Sequence, residues 1–266
     1  MFKLTHHLTA AVVGALMLAQ SIVLPTAAPR KEAAPAPKPA VVAMVATEPV
    51  AQPAPQAKGK LIVIDPGHGG SDPGALHQAG NGQADVTEED ANLAIALKLA
   101  DMLRADGYEV RLTRSTDTDL VPGSKAADLQ KRVDIANEAN ADLLISIHHN
   151  AAANKSARGT EVWYCGDRPF SADGERLAKA VDEALVRNLR AAGYETVDHG
   201  VKDDSKAGHF AITGPNLARP SKMPSIIGEA LYITNDQDAA QLKRPEGIEA
   251  LARGYFEGIK AYFGDA

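Results

Sequence analysis

The sequence predicts an α/β fold: a single domain with a mostly parallel, twisted sheet flanked by helices on both faces. Short runs that contain Val, Ile or Leu read as strands at 61–64, 108–113, 143–147, 161–164 and 224–231. Stretches that fit helices lie between or after them, at 87–105, 129–140, 177–189 and 248–263. Strands that alternate with helices of this length form parallel sheets covered on both faces.

Local signals mark where these elements begin and end. Pro66 and Gly67 stop the first strand. Thr87, followed three residues later by Asp90, is typical of a helix start because the threonine hydroxyl can accept from a free backbone N–H of the first turn. Gly107 ends that helix before the second strand.

The first 28 residues read as a secretory signal. Lys3 gives a positive start, the run 8–24 carries no charge, and small residues follow at 26–28. A buried helix and an uncleaved anchor are the alternatives, since about 17 apolar residues is the lower limit for spanning a bilayer. We expect an exported protein, periplasmic or in the cell wall or extracellular space, without stable membrane insertion after signal cleavage.

Residues 29–58 are predicted to be a linker. They contain seven prolines among many alanines. Proline at this density favours extended, solvated backbone. The folded domain is therefore expected at 59–266.

The net charge argues against a nucleic-acid-binding protein, and the cysteine content excludes a fold held by internal disulfides. A formal net charge of −6 argues against nucleic acid as a partner, because phosphate binding needs clustered Lys and Arg. The single cysteine, Cys165, cannot form an internal disulfide. We interpret it as a half-buried residue at the end of a strand.

Polar residues at three strand ends are the candidates for chemistry. His68 follows the first strand, His148 lies at the end of the strand 143–147, and Glu229 lies in the last strand. Parallel strands would bring these ends to one edge of the sheet, where such folds bind ligands. Glu88, at the start of a helix, can reach the same edge.

Two imidazoles and one carboxylate form a common ligand set for catalytic zinc, which activates water for hydrolysis. Apolar neighbours of Glu229 would raise its pKa toward values useful for proton transfer. Each residue could also have a purely structural role. His68 could be a loop histidine beside flexible glycines, and Glu88 could serve only as a favourable charge at a helix N-terminus. One of His148 and His149 could be structural, and Glu229 could pair with Arg114 or Arg132.

Several motifs in order resemble the catalytic domain of zinc-dependent N-acetylmuramoyl-L-alanine amidases, from Lys60 to Phe263. They are Ile-Val-Ile-Asp-Pro-Gly-His-Gly-Gly at 62–70, Asp-Pro-Gly-Ala at 72–75, Glu-Glu-Asp-Ala-Asn-Leu at 88–93, Arg-Val-x-x-Ala-Asn at 132–137, Ser-Ile-His-His-Asn-Ala at 146–151 and Arg-Gly-Thr-Glu-Val at 158–162.

The resemblance implies specific roles. The histidine of the Pro-Gly-His-Gly-Gly turn, the glutamate four residues before Asn-Leu and the histidine after Ser-Ile are zinc ligands in the family. They select His68, Glu88 rather than Glu89, and His148 rather than His149. Glu229 matches the catalytic glutamate, although Ala-Leu-Tyr replaces the family's Leu-Gly-Phe after it.

The implied substrate is peptidoglycan, at the amide between the lactyl group of N-acetylmuramic acid and the L-alanine of the stem peptide. We expect a monomer, and the sequence leaves open whether an activator protein is needed. The alternatives are a zinc peptidase acting within the stem peptide, a non-catalytic peptidoglycan-binding regulator, and an α/β protein that binds a small ligand.

Overall fold

A computed structural model describes residues 57–80, 82–209 and 217–265. The predicted signal segment and nearly all of the predicted linker lie outside the described residues, so both stay predictions. Within the described ranges, no helix combines the length and the apolar character needed to cross a membrane.

The described residues form eight strands and five helices. The strands are β1 (Leu61–Pro66), β2 (Leu76–Gln78), β3 (Ala84–Thr87), β4 (Glu109–Leu112), β5 (Leu143–Asn150), β6 (Thr160–Tyr164), β7 (Asp198–Asp203) and β8 (Ser225–Tyr232). The helices are α1 (Glu88–Ala105), α2 (Lys125–Ala139), α3 (Ser171–Ala191), α4 (Asp236–Leu242) and α5 (Pro245–Phe263), with a 3₁₀ turn at Asp204–Lys206.

Six strands form the central sheet in the order β4-β1-β5-β8-β6-β7. β4, β1, β5 and β8 are parallel neighbours, which confirms the mostly parallel sheet. β6 is antiparallel to β8 and parallel to β7. The carboxyl ends of β6 and β7 therefore lie at the opposite edge of the sheet from those of the other four strands.

Helices cover both faces of the sheet, as predicted. Along β1, Ile62 and Ile64 pack into a cluster with α1, α3 and α5, whereas Val63 packs into a second cluster with α2. This alternation follows from the two-residue period of side chains in a strand. Burial of each such side chain stabilises the fold by roughly 1.5–3 kcal/mol.

Four elements were not predicted: β2, β3, β7 and α4. The β2–β3 hairpin and α4 are short, and β7 is a mostly polar strand, Asp-His-Gly-Val-Lys-Asp, with no buried apolar face. The predicted helix at 129–140 begins earlier, at Lys125, because the Ser124 side chain accepts from Ala127 N. Apolar periodicity cannot reveal elements that bury so little apolar surface.

Candidate metal centre

His68 lies in the turn that follows β1, and two buried arginines hold that turn. Arg132 donates to the carbonyl oxygens of Pro66 and His68, each at 2.8 Å, and Arg114 donates to those of Pro66 and Gly67, each at 3.0 Å. His68 has a φ of 60°, a left-handed conformation that histidine adopts more readily than most residues. The turn thus fixes the imidazole at the carboxyl edge of the sheet.

Glu88 is the first residue of α1, and its carboxylate turns back to that edge. Its Oε2 accepts from Ala75 N at 2.8 Å, and its Oε1 accepts from His149 N at 3.2 Å. The Thr87 side chain caps the helix by accepting from Asp90 N, as the sequence predicted. Glu88 is 4% exposed, so its carboxylate is removed from water and anchored by backbone donors.

His148 lies near the end of β5, with its Nδ1 3.0 Å from Glu88 Oε1. Its Nε2 faces the backbone of Gly67, where an added Cβ would lie only 2.2 Å away. A side chain at position 67 would push the ring out of place, which explains the glycine. Nδ1 is the nitrogen that faces Glu88 and the centre.

His68, Glu88 and His148 thus come together, with ligand atoms all within 4.8 Å of one another. His68 Nε2 lies 3.2 Å from Glu88 Oε1, and the two imidazole rings meet edge to face with centroids 4.9 Å apart. Donor atoms around a tetrahedral zinc are separated by about 3.3 Å, given metal–ligand bonds of 2.0–2.1 Å. The donor set and its spacing therefore fit zinc.

The charges at this centre are strongly coupled. Burial opposes ionisation of Glu88, but the imidazoles of His148 and His68 outweigh it and hold the pKa of the carboxyl far below its ordinary range. Burial likewise opposes protonation of His68, but Glu88 and Asp72 raise the pKa of its imidazole. A carboxylate that stays ionised while buried is suited to a cation.

His149 lies apart from these three side chains. It is 3% exposed, and its Nδ1 makes a hydrogen bond with the carbonyl oxygen of Ala230 on β8. Because successive side chains in a strand point to opposite faces, His149 points away from the centre that His148 faces.

Glu229 on β8 lies directly opposite His148 in the sheet register. Glu229 as a whole is half-buried, but its Oε2 atom is inaccessible to solvent and makes no hydrogen bond among the described residues. Burial, followed by the charges of Glu88 and Glu161, raises the pKa of Glu229 well above its ordinary value. A pairing of Glu229 with Arg114 or Arg132 is not observed, since both arginines hold the turn at 66–68.

Two carboxylates beside the centre had no role in the sequence prediction. Asp72 Oδ2 lies 3.0 Å from His68 Nδ1, on the far side of the ring from Glu88. Glu161 on β6 pairs with Glu229 in register and accepts from Asn150 at 2.8 Å and from Trp163 at 3.0 Å. Both lie within motifs that the sequence resemblance included, which is the signal that could have found them.

A cleft of ≈ 330 Å³ opens beside the centre and is lined by His68, His148, Asp72 and Lys125, among others. Two imidazoles, a buried carboxylate and a second shielded carboxyl at the carboxyl edge of an α/β sheet define a candidate metal-dependent hydrolase. Comparisons with known proteins agree. The N-acetylmuramoyl-L-alanine amidase family matches residues 62–261, and the chain belongs to this family of cell-wall hydrolases that act on peptidoglycan.

Curated relatives include two amidases of Bacillus subtilis. The germination-specific N-acetylmuramoyl-L-alanine amidase is 32% identical over 212 residues, which cover 77% of this chain and 80% of the relative. The amidase LytC is 37% identical over 206 residues, which cover 77% of this chain but only 36% of LytC.

Solved structures agree with the fold. The catalytic domain of the amidase CwlV from Bacillus (Paenibacillus) polymyxa is similar with a TM-score of 0.62 and 28% identity, over 78% of this chain and 99% of that one. The CwlD amidase from Clostridioides difficile, solved with the GerS lipoprotein, is similar with a TM-score of 0.64 and 28% identity, over 78% and 100%.

Proposed function

We propose that this protein hydrolyses the amide between the lactyl group of N-acetylmuramic acid and the L-alanine of the stem peptide, with zinc held by His68, Glu88 and His148. The observation that carries the proposal is the approach of two imidazoles and a buried carboxylate to within 4.8 Å of one another. Family membership over residues 62–261 supplies the substrate class.

When bound, zinc supplies a Lewis acid that polarises the scissile carbonyl and makes hydroxide available near neutral pH. Three side chains of this protein would hold it, which leaves a coordination position open as in catalytic sites. Asp72 would orient His68 through Nδ1, since ligating histidines commonly give their other ring nitrogen to a carboxylate.

Glu229 is proposed to take the proton from the attacking water and to deliver it to the leaving nitrogen. Its position opposite His148 puts the carboxyl on the same face of the sheet as the proposed ligand. The elevated pKa of Glu229 favours the second half of this task, the donation of a proton. A cation bound nearby would oppose that elevation and favour the ionised base needed first.

Export and tethering complete the proposal. Residues 1–28 would direct export and 29–58 would space the domain from its site of export, so that the enzyme meets peptidoglycan outside the cytoplasm. The CwlD amidase was solved in complex with the GerS lipoprotein. If the isolated chain hydrolyses peptidoglycan slowly, candidate activator proteins should therefore be added to the assay.

Replacing each of the adjacent histidines separates their roles. We expect His148→Ala to lose one equivalent of zinc per chain and nearly all turnover, because it removes a proposed ligand atom 3.0 Å from Glu88. His149→Ala keeps the backbone N–H that Glu88 accepts from and should retain that zinc, with some loss of thermal stability. Metal analysis and turnover of both variants decide. The reverse order would transfer the ligand role to His149.

The activity itself is tested by incubating the purified full-length chain with peptidoglycan, with and without a zinc chelator, and weighing the soluble products. Stem peptides that begin with free L-alanine, lost on chelation and restored by zinc, are the expected result. Shortened stem peptides would instead indicate a peptidase. Absence of product even with candidate activator proteins would favour a non-catalytic peptidoglycan-binding protein.

A further inference from the structure

A second group of metal-ligating side chains lies at the other edge of the sheet. Cys165 directly follows β6, Asp204 directly follows β7, and His209 ends the turn after it. Because β6 runs antiparallel to β8, this group is at the edge opposite the one that carries Glu229. It is therefore separate from the amidase centre.

The three side chains converge on one point. His209 Nδ1 lies 3.7 Å from Cys165 Sγ and 3.9 Å from Asp204 Oδ2, and the three ligand atoms lie within 4.8 Å of one another. Around a tetrahedral zinc, a thiolate sulfur and an imidazole nitrogen are separated by about 3.6 Å. The distance from His209 to Cys165 is close to this value. Asp204 would have to move about 0.6 Å closer to His209 to reach the separation of about 3.3 Å expected between nitrogen and oxygen ligands.

The other ring nitrogen of His209 has the partner that a ligating histidine commonly has. His209 Nε2 lies 3.1 Å from Asp167 Oδ2. A carboxylate in this position fixes the ring and raises the basicity of the opposite nitrogen, which here faces Cys165 and Asp204. His209 also has a left-handed φ of 57°, as His68 does in the amidase centre.

The burial of this group favours a metal site over a reactive, catalytic thiol. Cys165 is 3% exposed and Asp204 is fully buried, so no substrate carbonyl can reach the sulfur as the chain stands.

We propose that Cys165, Asp204 and His209 bind a second zinc ion that ties the end of β6 to the turn after β7. Sulfur, nitrogen and oxygen donors together suit zinc, whereas an oxygen-only group would suit calcium or magnesium. Such an ion would anchor a polar edge strand that buries little apolar surface of its own. The site is independent of the amide hydrolysis proposed above.

Cobalt gives a direct test, because Cys165 is the only cysteine in the sequence. Replacing zinc by Co²⁺ in the full-length chain should produce a near-ultraviolet sulfur-to-cobalt charge-transfer band, which the sulfur-free amidase centre cannot give. The unaltered chain should bind two zinc ions. His68→Ala should lose one and keep the band, whereas Cys165→Ser should lose the other and the band with it.

A variant outside the three proposed ligands tests the site even if Cys165→Ser misfolds. Asp167 is 59% exposed, so Asp167→Asn should fold and should weaken cobalt binding by about 10- to 100-fold, as loss of such a second carboxylate does. Asp173→Asn, a similarly exposed acid, serves as its control. The proposal is overturned if the unaltered chain gives no charge-transfer band, or if Asp167→Asn and Asp173→Asn bind cobalt at the band-giving site equally well.

Discussion

Glu229→Gln is expected to lower amidase turnover by about 10²- to 10⁴-fold, the usual contribution of a positioned proton-transfer group. The amide has nearly the same shape as the carboxyl but can neither take nor deliver the proton. Glu229 Oε2 makes no hydrogen bond among the described residues, so the change breaks no bond of that oxygen. The fold and the zinc held at His68, Glu88 and His148 should therefore persist.

Turnover on peptidoglycan, zinc content and thermal melting of Glu229→Gln would be measured together. Glu195→Gln makes the same chemical change at a side chain that is 84% exposed on the surface, and it should match the unaltered chain in all three. Near-normal turnover of Glu229→Gln would remove Glu229 from the proton-transfer role. Lost zinc with lost turnover would instead make Glu229 part of the metal centre.

The features that could be predicted from the sequence are those that depend on short stretches of neighbouring residues. The run 61–64 is apolar and stops at Pro66, so β1 and the turn that carries His68 could both be foreseen. Parallel pairing of β1, β5 and β8 then brings His148 and Glu229 to one edge by the geometry of the sheet alone. That inference needed no knowledge of side-chain contacts.

Other features depend on strand direction, which local pattern does not encode. β6 pairs with β8 in the antiparallel direction, and this pairing puts Glu161 beside Glu229. No residue spacing in the sequence predicts that these two glutamates are neighbours. The same reversal carries Cys165 to the far edge, where it is buried rather than half-buried and lies just beyond the strand. Its approach to His209, 44 residues away, is visible only in three dimensions.

The buried pair of Arg132 and Asp65 connects the stability of the fold to the metal centre. Asp65 is fully buried and accepts from Arg132 at 2.9 Å, from Thr113 at 2.6 Å and from Ser146 at 2.8 Å. Burial raises the pKa of Asp65, but Arg132 and Thr113 outweigh it and hold the pKa below its ordinary value. The carboxylate is thus charged at neutral pH and depends on the arginine.

Arg132→Ala is expected to destabilise the domain by about 3–5 kcal/mol, because it leaves an uncompensated buried charge. For a domain of this size the melting temperature should fall by about 6–20 °C. The variant also loses the donors to Pro66 O and His68 O, so the turn that presents His68 should loosen and zinc affinity should drop. Calorimetry and zinc titration measure the two effects.

The pH dependence of this loss follows from the direction of the Asp65 shift. A carboxyl whose pKa is lowered by folding contributes stability above the unfolded pKa of about 4, and that contribution disappears as the pH falls through the lowered value. The melting temperatures of Arg132→Ala and the unaltered chain should therefore converge in acid. Arg253→Ala removes an exposed ion pair within α5 and should leave the melting temperature nearly unchanged at every pH. An Arg132→Ala variant that melts like Arg253→Ala would show that the hydroxyls of Thr113 and Ser146 suffice to hold Asp65.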